Sequence, residues 1–295
     1  MRTFTALINP ISGGGRAPEL WDRVARLLRE AGATVQVVLT QSGEDAVELA
    51  TKAAIRGDVV VAVGGDGLVR DTAGGVVAGG RAAGGALGIV PAGRGNDLAH
   101  TLAVPDDPAA LAQLLLDGPT RQIDVLDVDG VIAPGNVYVG IDSLATRIIN
   151  SSRWVPALLL YRLAPVRAIL TWRPPLYTLS VDGQPRRVRA HTVVIANSGA
   201  YGHGLRIVPP AVLDDGLLDV LVVGAGPRGA IVRFMDEAKK GTHVHRPDVD
   251  LGTAHEVVID ADVPVPVCAD GDEIGTLPVT VRVRPGALTV IAPRP

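Results

Sequence analysis

The chain has 295 residues, 47% of them hydrophobic and 20% charged, which suits one large domain or two moderate ones and excludes a disordered chain or a small stapled scaffold. A net charge of −3 leaves no electrostatic footprint for nucleic acid, and the single cysteine, Cys268, rules out an internal disulfide framework and a Cys-based zinc site. The apolar run before Asn9-Pro10 is too short for a signal core, and no window reaches about 18 uninterrupted apolar residues, so the expectation is a cytoplasmic protein that meets membranes only peripherally.

The first part of the chain alternates periods. Thr3 to Ile8 reads as a strand. A Gly-rich turn follows, and then Leu20, Val24, Leu27 and Leu28 recur at helical spacing. Ala33 to Leu39 is the next strand, and Gly43-Glu44-Asp45 opens a helix with acids in its first turn, where the helix dipole favours them. Asp58 to Val63 and Leu87 to Val90 are apolar and β-branched in the manner of strands buried on both faces of a parallel sheet. Strand and helix in alternation predict a doubly wound α/β domain over 1–122, with its ligands beyond the carboxyl ends of the strands.

From about residue 120 the texture becomes β-rich: Ile123 to Val128, Val137 to Ile141, Tyr177 to Val181, Val188 to Ala196, Leu217 to Val223, Glu256 to Ile259 and Val279 to Val283. Asp129-Gly130 and Asp182-Gly183 are hairpin signals between such runs. A mostly antiparallel β-sandwich domain is expected over 123–285, with 286–295 a C-terminal segment that returns to the first domain.

Three Gly-rich loops each follow a strand of the first domain: Asn9-Pro10-Ile11-Ser12-Gly13-Gly14-Gly15, Gly64-Gly65-Asp66-Gly67 and Pro91-Ala92-Gly93-Arg94-Gly95-Asn96-Asp97. Glycine lets backbone N–H groups approach a phosphate closely, and a helix N-terminus adds its dipole. One such loop commonly does no more than close a strand-to-helix corner, but three on one sheet edge point to a phosphate-bearing ligand. No Gly-Lys pair occurs, so there is no Walker A lysine, and Leu68-Val69-Arg70 stands where the Rossmann spacing needs a third glycine. Carboxylates at Asp66 and Asp97 inside phosphate-type loops suggest a bridging magnesium, because an acid beside a phosphate is repelled unless a cation lies between them.

These loops, in this order, resemble the signatures of the diacylglycerol kinase catalytic-domain family, which includes bacterial lipid kinases and sphingosine kinases. The likeness runs on through Gly135-Asn136, Gly140-Ile141-Asp142, Asn197-Ser198, Tyr201-Gly202-His203-Gly204, Pro209-Pro210-Ala211, Asp215-Gly216-Leu217-Leu218-Asp219 and Asp270-Gly271-Asp272, and so covers nearly the whole chain. It implies an α/β nucleotide-binding domain of the NAD kinase/diacylglycerol kinase type plus a β-sandwich domain, ATP and magnesium, and a lipid hydroxyl as acceptor in the cleft between the domains. By that resemblance Asn9, Pro10, Ser12, Gly13, Thr40, Gly65, Asp66, Gly67, Arg94, Asn96 and Asp97 belong to the nucleotide site. Asp270 and Asp272 stand at the catalytic acidic position, with Asp272 as the base. A structural magnesium would sit on Asp215 with the carbonyls of Val212 and Leu217, an all-oxygen set suited to a hard cation; the alternative there is an exposed turn with solvated acids.

Four residues depart from the family pattern. Leu68 and Arg94 replace threonines, Asp272 replaces glutamate and His203 interrupts a glycine run. Arg94 would compensate by pairing with a phosphate. The rivals to a lipid kinase are NAD kinase, which shares the Gly-Gly-Asp-Gly loop, and a catalytically silent lipid- or nucleotide-binding protein.

Apart from the family, eight arginines and one acid, Asp182, lie between Arg147 and Arg189. Within that stretch Trp154 to Trp172 mixes leucines with Arg162 and Arg167, as in segments that lie on an anionic membrane surface; a helix packed on the sandwich is the alternative. His100, His243, His245 and His255 read as surface or packing residues. Oligomeric state is not legible, and a homodimer stays open.

Overall fold

The computed structural model describes residues 2–80, 84–151, 167–202 and 204–294. These form two compact units, 1–125 with 284–295, and 126–283.

In the first unit β1 (Thr3–Ile8) lies between β2 (Thr34–Leu39) and β3 (Val59–Gly64), and β4 (Ala86–Pro91) continues the sheet, all in parallel. Every residue of β3 and β4 is buried, as their unbroken apolar sequences require with helices on both faces. The helix α1 (Ala17–Glu30) buries Trp21, Val24, Ala25 and Leu28 on one stripe. α2 (Gly43–Ile55) is capped by Ser42, whose hydroxyl accepts from the Asp45 amide. It packs on α3 (Asp66–Gly79) so closely that a Cβ on Gly75 would lie 2.4 Å from the Ala50 Cβ. α4 (Asp97–Thr101) and α5 (Pro108–Asp117) follow, the latter capped by the Asp107 carboxylate on two amides.

The chain leaves this unit through β5 (Thr120–Val128) and returns through the far half of β15 (Val279–Ile291), where Val290 pairs with Leu87 in parallel. The buried Asp124 of β5 accepts from the Gly286 amide at 2.6 Å.

The second unit is an antiparallel sandwich. Its strands are β6 (Val131–Ala133), β7 (Asn136–Gly140), β8 (Leu176–Val181), β9 (Gln184–Ala196), β10 (Leu218–Gly224), β11 (Val249–Ala254), β12 (Glu256–Ala261), β13 (Pro266–Ala269), β14 (Asp272–Thr276) and the near half of β15. β9 serves two layers: Gln184 to Arg189 pair with β8, and its buried second half pairs with β7 and β10. Strand alternation divides the faces. Val137, Val139, Val193, Ile195, Leu218, Val220 and Val222 enter the inter-sheet core, while Tyr138, Val194, Ala196, Leu221 and Val223 point the other way, into a cluster with Phe234 and Ala238 of the helix α7 (Arg228–Lys240). Both Asp-Gly pairs sit at hairpin turns with positive φ, Asp129-Gly130 between β5 and β6 and Asp182-Gly183 between β8 and β9.

Among the described residues of the second unit, two helices of more than ten residues break the β texture. Ile141 does not end a strand as its sequence suggests but opens α6 (Ile141–Ser151). The switch falls at Gly140, whose φ of +125° and close approach to the His191 carbonyl demand glycine, with the Ser143 hydroxyl bonded to its amide and carbonyl. α7 is the other. Among the described residues no helix is long and apolar enough to cross a membrane. Trp154 to Pro165, with Arg162, lie outside the described residues, as do Arg153 and His203. Trp172 is buried among Ile141, Ala168 and Ile231, a packing residue and not an interfacial one. Of the arginines in the basic stretch, Arg147 is held by Glu273 and Arg186 by Asp250.

Candidate functional site

The three Gly-rich loops of the first unit meet. Gly13 has φ +61° in a single 3₁₀ turn over Ser12–Gly14, and a Cβ there would lie 2.6 Å from the Ala92 carbonyl oxygen. A Cβ on Gly93 would lie 2.3 Å from the Gly65 Cα, and one on Gly95 2.6 Å from an Asp66 oxygen. Only glycine allows these backbones to touch. The result is a cradle of closely packed glycine backbone at the carboxyl ends of β1, β3 and β4, the place where such sheets take ligands.

Asp66, the first residue of α3, braces that cradle. Its two carboxyl oxygens accept the amides of Asn96 at 2.9 Å and Asp97 at 2.7 Å. Burial and then the neighbouring Asp97 charge push its pKa up, against the pull of those amides. Asn96 takes the left-handed conformation (φ +55°) that asparagine tolerates, and its carboxamide closes the loop on the Gly93 amide at 2.9 Å and carbonyl at 3.3 Å. Asn9 accepts the Ile11 amide at 3.1 Å, and Thr40 donates to the Ile8 carbonyl at 3.2 Å, fixing the ends of β1 and β2. Pro10 and Arg94 are exposed on the rim, and Ser12, Gly65, Gly67 and Asp97 are half-buried there. Leu68 is 7% exposed, and its Cδ2 lies 2.8 Å from where a Gly64 Cβ would be, with the Ser12 hydroxyl at 3.3 Å from the same point. It fills the ground beneath the rim.

The second unit carries its own polar cluster. Asp270 and Gly271, both at positive φ, form the two-residue turn of the β13–β14 hairpin. The Asp270 carboxylate accepts the Asn136 amide at 2.8 Å and the Gly135 amide at 3.3 Å, while its own amide donates to the Asn136 carbonyl. Asp270 is therefore spent on anchoring the turn, and half-buried Asp272 is the carboxylate that the turn presents. Buried Asn136 donates to the Ser198 hydroxyl and the Ala200 carbonyl, each at 3.0 Å.

At the Asp215-Gly216-Leu217 turn the Asp215 carboxylate accepts the Leu217 amide at 3.0 Å, and Val212 is exposed. Nearby Asp219 is pushed up to about 6, by burial first and the Asp215 charge second. Asp215 and Asp219, with the carbonyls of Val212 and Leu217 that the resemblance names, would supply oxygen donors of the kind a hard cation takes. Among the described residues no three His, Cys, Asp or Glu side chains are grouped to hold a metal by themselves, so a cation at this turn would need those carbonyls.

Sequence reasoning missed a shallow hollow in the second unit, lined by Ile141, Val223, Ile231, Phe234 and Met235 with Asp142, Thr192, His191 and Asp248 among them. The Asp142 carboxylate accepts the hydroxyls of Tyr201 at 2.8 Å and Thr192 at 3.0 Å, and its burial raises its pKa. His191 is 4% exposed. Its Nε2 lies 3.0 Å from the Gly226 backbone, and its Nδ1 is buried without a partner among the described residues. The signals existed: Ile141, Leu144, Ala145 and Ile148, then Ile231, Phe234, Met235 and Ala238, recur at helical spacing.

Residues 3–128 match the model of the diacylglycerol kinase catalytic domain, and residues 135–292 that of the YegS C-terminal NAD kinase beta sandwich-like domain. A diacylglycerol kinase of Mycobacterium tuberculosis is 34% identical over 298 residues, covering 98% of this chain and 95% of that protein. The chain belongs to the diacylglycerol and YegS-like lipid kinase family. A YegS-like lipid kinase of Chromohalobacter salexigens is 32% identical over 70% of this chain and 67% of its own length. The crystal structure of a diacylglycerol kinase from Bacillus anthracis str. Sterne matches 99% of this chain and 96% of its own with a TM-score of 0.79 at 22% identity, a likeness of fold. In this lipid kinase family member the glycine cradle falls in the catalytic-domain match, and Asp142, Asp215, Asp270 and Asp272 fall in the sandwich match.

Proposed function

We propose that the chain transfers the γ-phosphoryl group of ATP to a hydroxyl of diacylglycerol or a related lipid. The observation that carries this reading is the convergence of three glycine loops, braced by Asp66, into one backbone cradle. Such a cradle suits a polyphosphate, which needs many donors at short range and little side-chain bulk. Ser12, Gly13, Gly65, Gly67 and Asn96 line it. Arg94, exposed on the rim, is the cation that replaces a threonine and reaches phosphate oxygen. Magnesium bound with the nucleotide supplies charge neutralisation. The chain's own work is to hold the phosphates, orient them and accept a proton. Asp272 receives the proton of the acceptor hydroxyl as it attacks phosphorus, and Asp270 holds the turn that carries it. A second cation on Asp215 and the carbonyls of Val212 and Leu217 would brace the segment that leads into β10.

The acceptor reaches the protein from an anionic membrane surface. Leu170 and Val232, each 63% exposed, and Met235 at 37% supply apolar contact, with exposed Arg167 and Arg173 beside Leu170 in sequence.

The test offers γ-labelled ATP and magnesium to diacylglycerol, monoacylglycerol, sphingosine, phosphatidylglycerol and NAD in parallel. Label in a lipid supports the proposal and names the acceptor class. Label in NAD alone overturns it in favour of NAD kinase, the fold that the sandwich match also names.

A further inference from the structure

Asp272 lies on β14, a strand with a single partner. β13 pairs it on one side, through a ladder that slips register between Val267 and Cys268, and no strand pairs its other edge among the described residues. None of its five residues is buried: Glu273, Gly275 and Thr276 are exposed, and Asp272 and Ile274 are half-buried. Backbone hydrogen bonds alone hold such a short edge strand loosely. Two side-chain anchors flank the proposed base. On one side is Asp270, whose carboxylate is clamped by the Gly135 and Asn136 amides. On the other is Glu273, adjacent to Asp272 in the chain, which receives Arg147 of α6 in a fork: Nε to Oε2 and Nη2 to Oε1, each at 2.9 Å.

The pair joins residues 126 apart in sequence, with side chains 39% and 32% exposed. Partly exposed ion pairs contribute little to global stability, but the bidentate fork is directional in a way that a lysine contact is not. It ties the edge strand to the helix that begins at Asp142. Because successive side chains on a strand point to opposite faces, fixing Glu273 toward α6 fixes Asp272 on the opposite face.

We infer that Arg147 is a positioning residue, which holds Asp272 in register for proton acceptance through its fork on Glu273. The inference rests on the proposed role of Asp272. It also withdraws Arg147 from the set of arginines that face a membrane.

The experiment measures two things on the full chain, steady-state transfer and amide hydrogen exchange across β14, for the wild type, Arg147→Ala, Arg147→Lys, Glu273→Gln and the reversed pair Arg147→Glu with Glu273→Arg. A displaced base costs turnover without weakening nucleotide binding, so Arg147→Ala and Glu273→Gln are expected to lower kcat about tenfold with KM for ATP unchanged. Exchange at the Asp272 and Glu273 amides is expected to quicken about fivefold or more, with the sandwich core unaffected. The reversed pair recovers most of kcat, and Arg147→Lys, which cannot make the fork, does not. Unchanged exchange in β14, or kcat within about twofold of wild type once the fork is cut, overturns the inference. If the wild type transfers no phosphate, the functional reading fails by itself, and hydrogen exchange still decides whether the fork holds the strand.

Discussion

The Asp66 carboxylate takes backbone amides on both of its oxygens inside a half-buried loop. Asn at this position keeps one acceptor and turns the other into an NH₂ group that faces an N–H. Asp66→Asn is therefore expected to cost about 1.5–3 kcal/mol of stability, the scale of hydrogen bonds to a charged group, and to weaken nucleotide binding by opening the cradle. Denaturant unfolding and a binding titration on the same variant check both. At Asp142 burial likewise penalises the charged form and raises its pKa above the unfolded value. The folded state then binds the proton more tightly than the unfolded one. Stability from this group is full below the ordinary carboxylate range and is lost as pH rises through the raised value. Asp142→Asn, which keeps an acceptor for Tyr201 and Thr192, is expected to flatten that decline. Unfolding midpoints of the two proteins from pH 4 to pH 8 supply the comparison, and parallel curves would refute it.

At the scale of elements, much of the chain was legible. Unbroken apolar runs in β3 and β4 pointed to strands covered on both faces, and the Asp-Gly pairs marked the turns where two residues at positive φ are needed. The three glycine loops were visible as glycine, and the structure adds why: Gly13, Gly93 and Gly95 each sit where a methyl group would strike another loop. What stayed hidden was the helices of the second unit. α6 follows β7 without a polar break, because the Gly140 turn occupies a single residue, and α7 sits in a region dominated by strand-like runs. The division of labour between Asp270 and Asp272 was also out of reach, since it depends on amides of Gly135 and Asn136 more than 130 residues away. Leu68 reads in sequence as a lost hydroxyl, and in the fold it packs beneath Gly64. The close packing of α2 on α3 carries its own prediction: Gly75→Ala drives a methyl group into Ala50 and the Val47 carbonyl and should destabilise the protein by about 1–3 kcal/mol, as overpacking does. Thermal unfolding measures it, and an unchanged or raised midpoint would contradict the packing described.

For the whole molecule, charge is unevenly placed. Arg147 and Arg186 are matched by acids from other strands, so the exposed cations that remain in the described part of the basic stretch are fewer than composition alone suggests, with Arg167 and Arg173 beside the exposed Leu170. Each cation near an anionic surface contributes about 1 kcal/mol, roughly fivefold in affinity. Vesicle sedimentation should therefore rise with phosphatidylserine content, and Arg167→Glu with Arg173→Glu should lower it at least about 25-fold at low salt. Binding indifferent to phosphatidylserine would remove the membrane from the account.

The central claim is that a nucleotide held on the glycine cradle gives its phosphate to a lipid whose proton goes to Asp272. Its most direct test measures ATP affinity and phosphate transfer to diacylglycerol for the wild type and Asp272→Asn side by side. The account predicts labelled lipid from the wild type, and a variant that binds ATP equally well while turnover falls by about 100-fold or more, the range of general base catalysis. A wild type that binds ATP and labels no lipid, or an Asp272→Asn variant as active as the wild type, would contradict it.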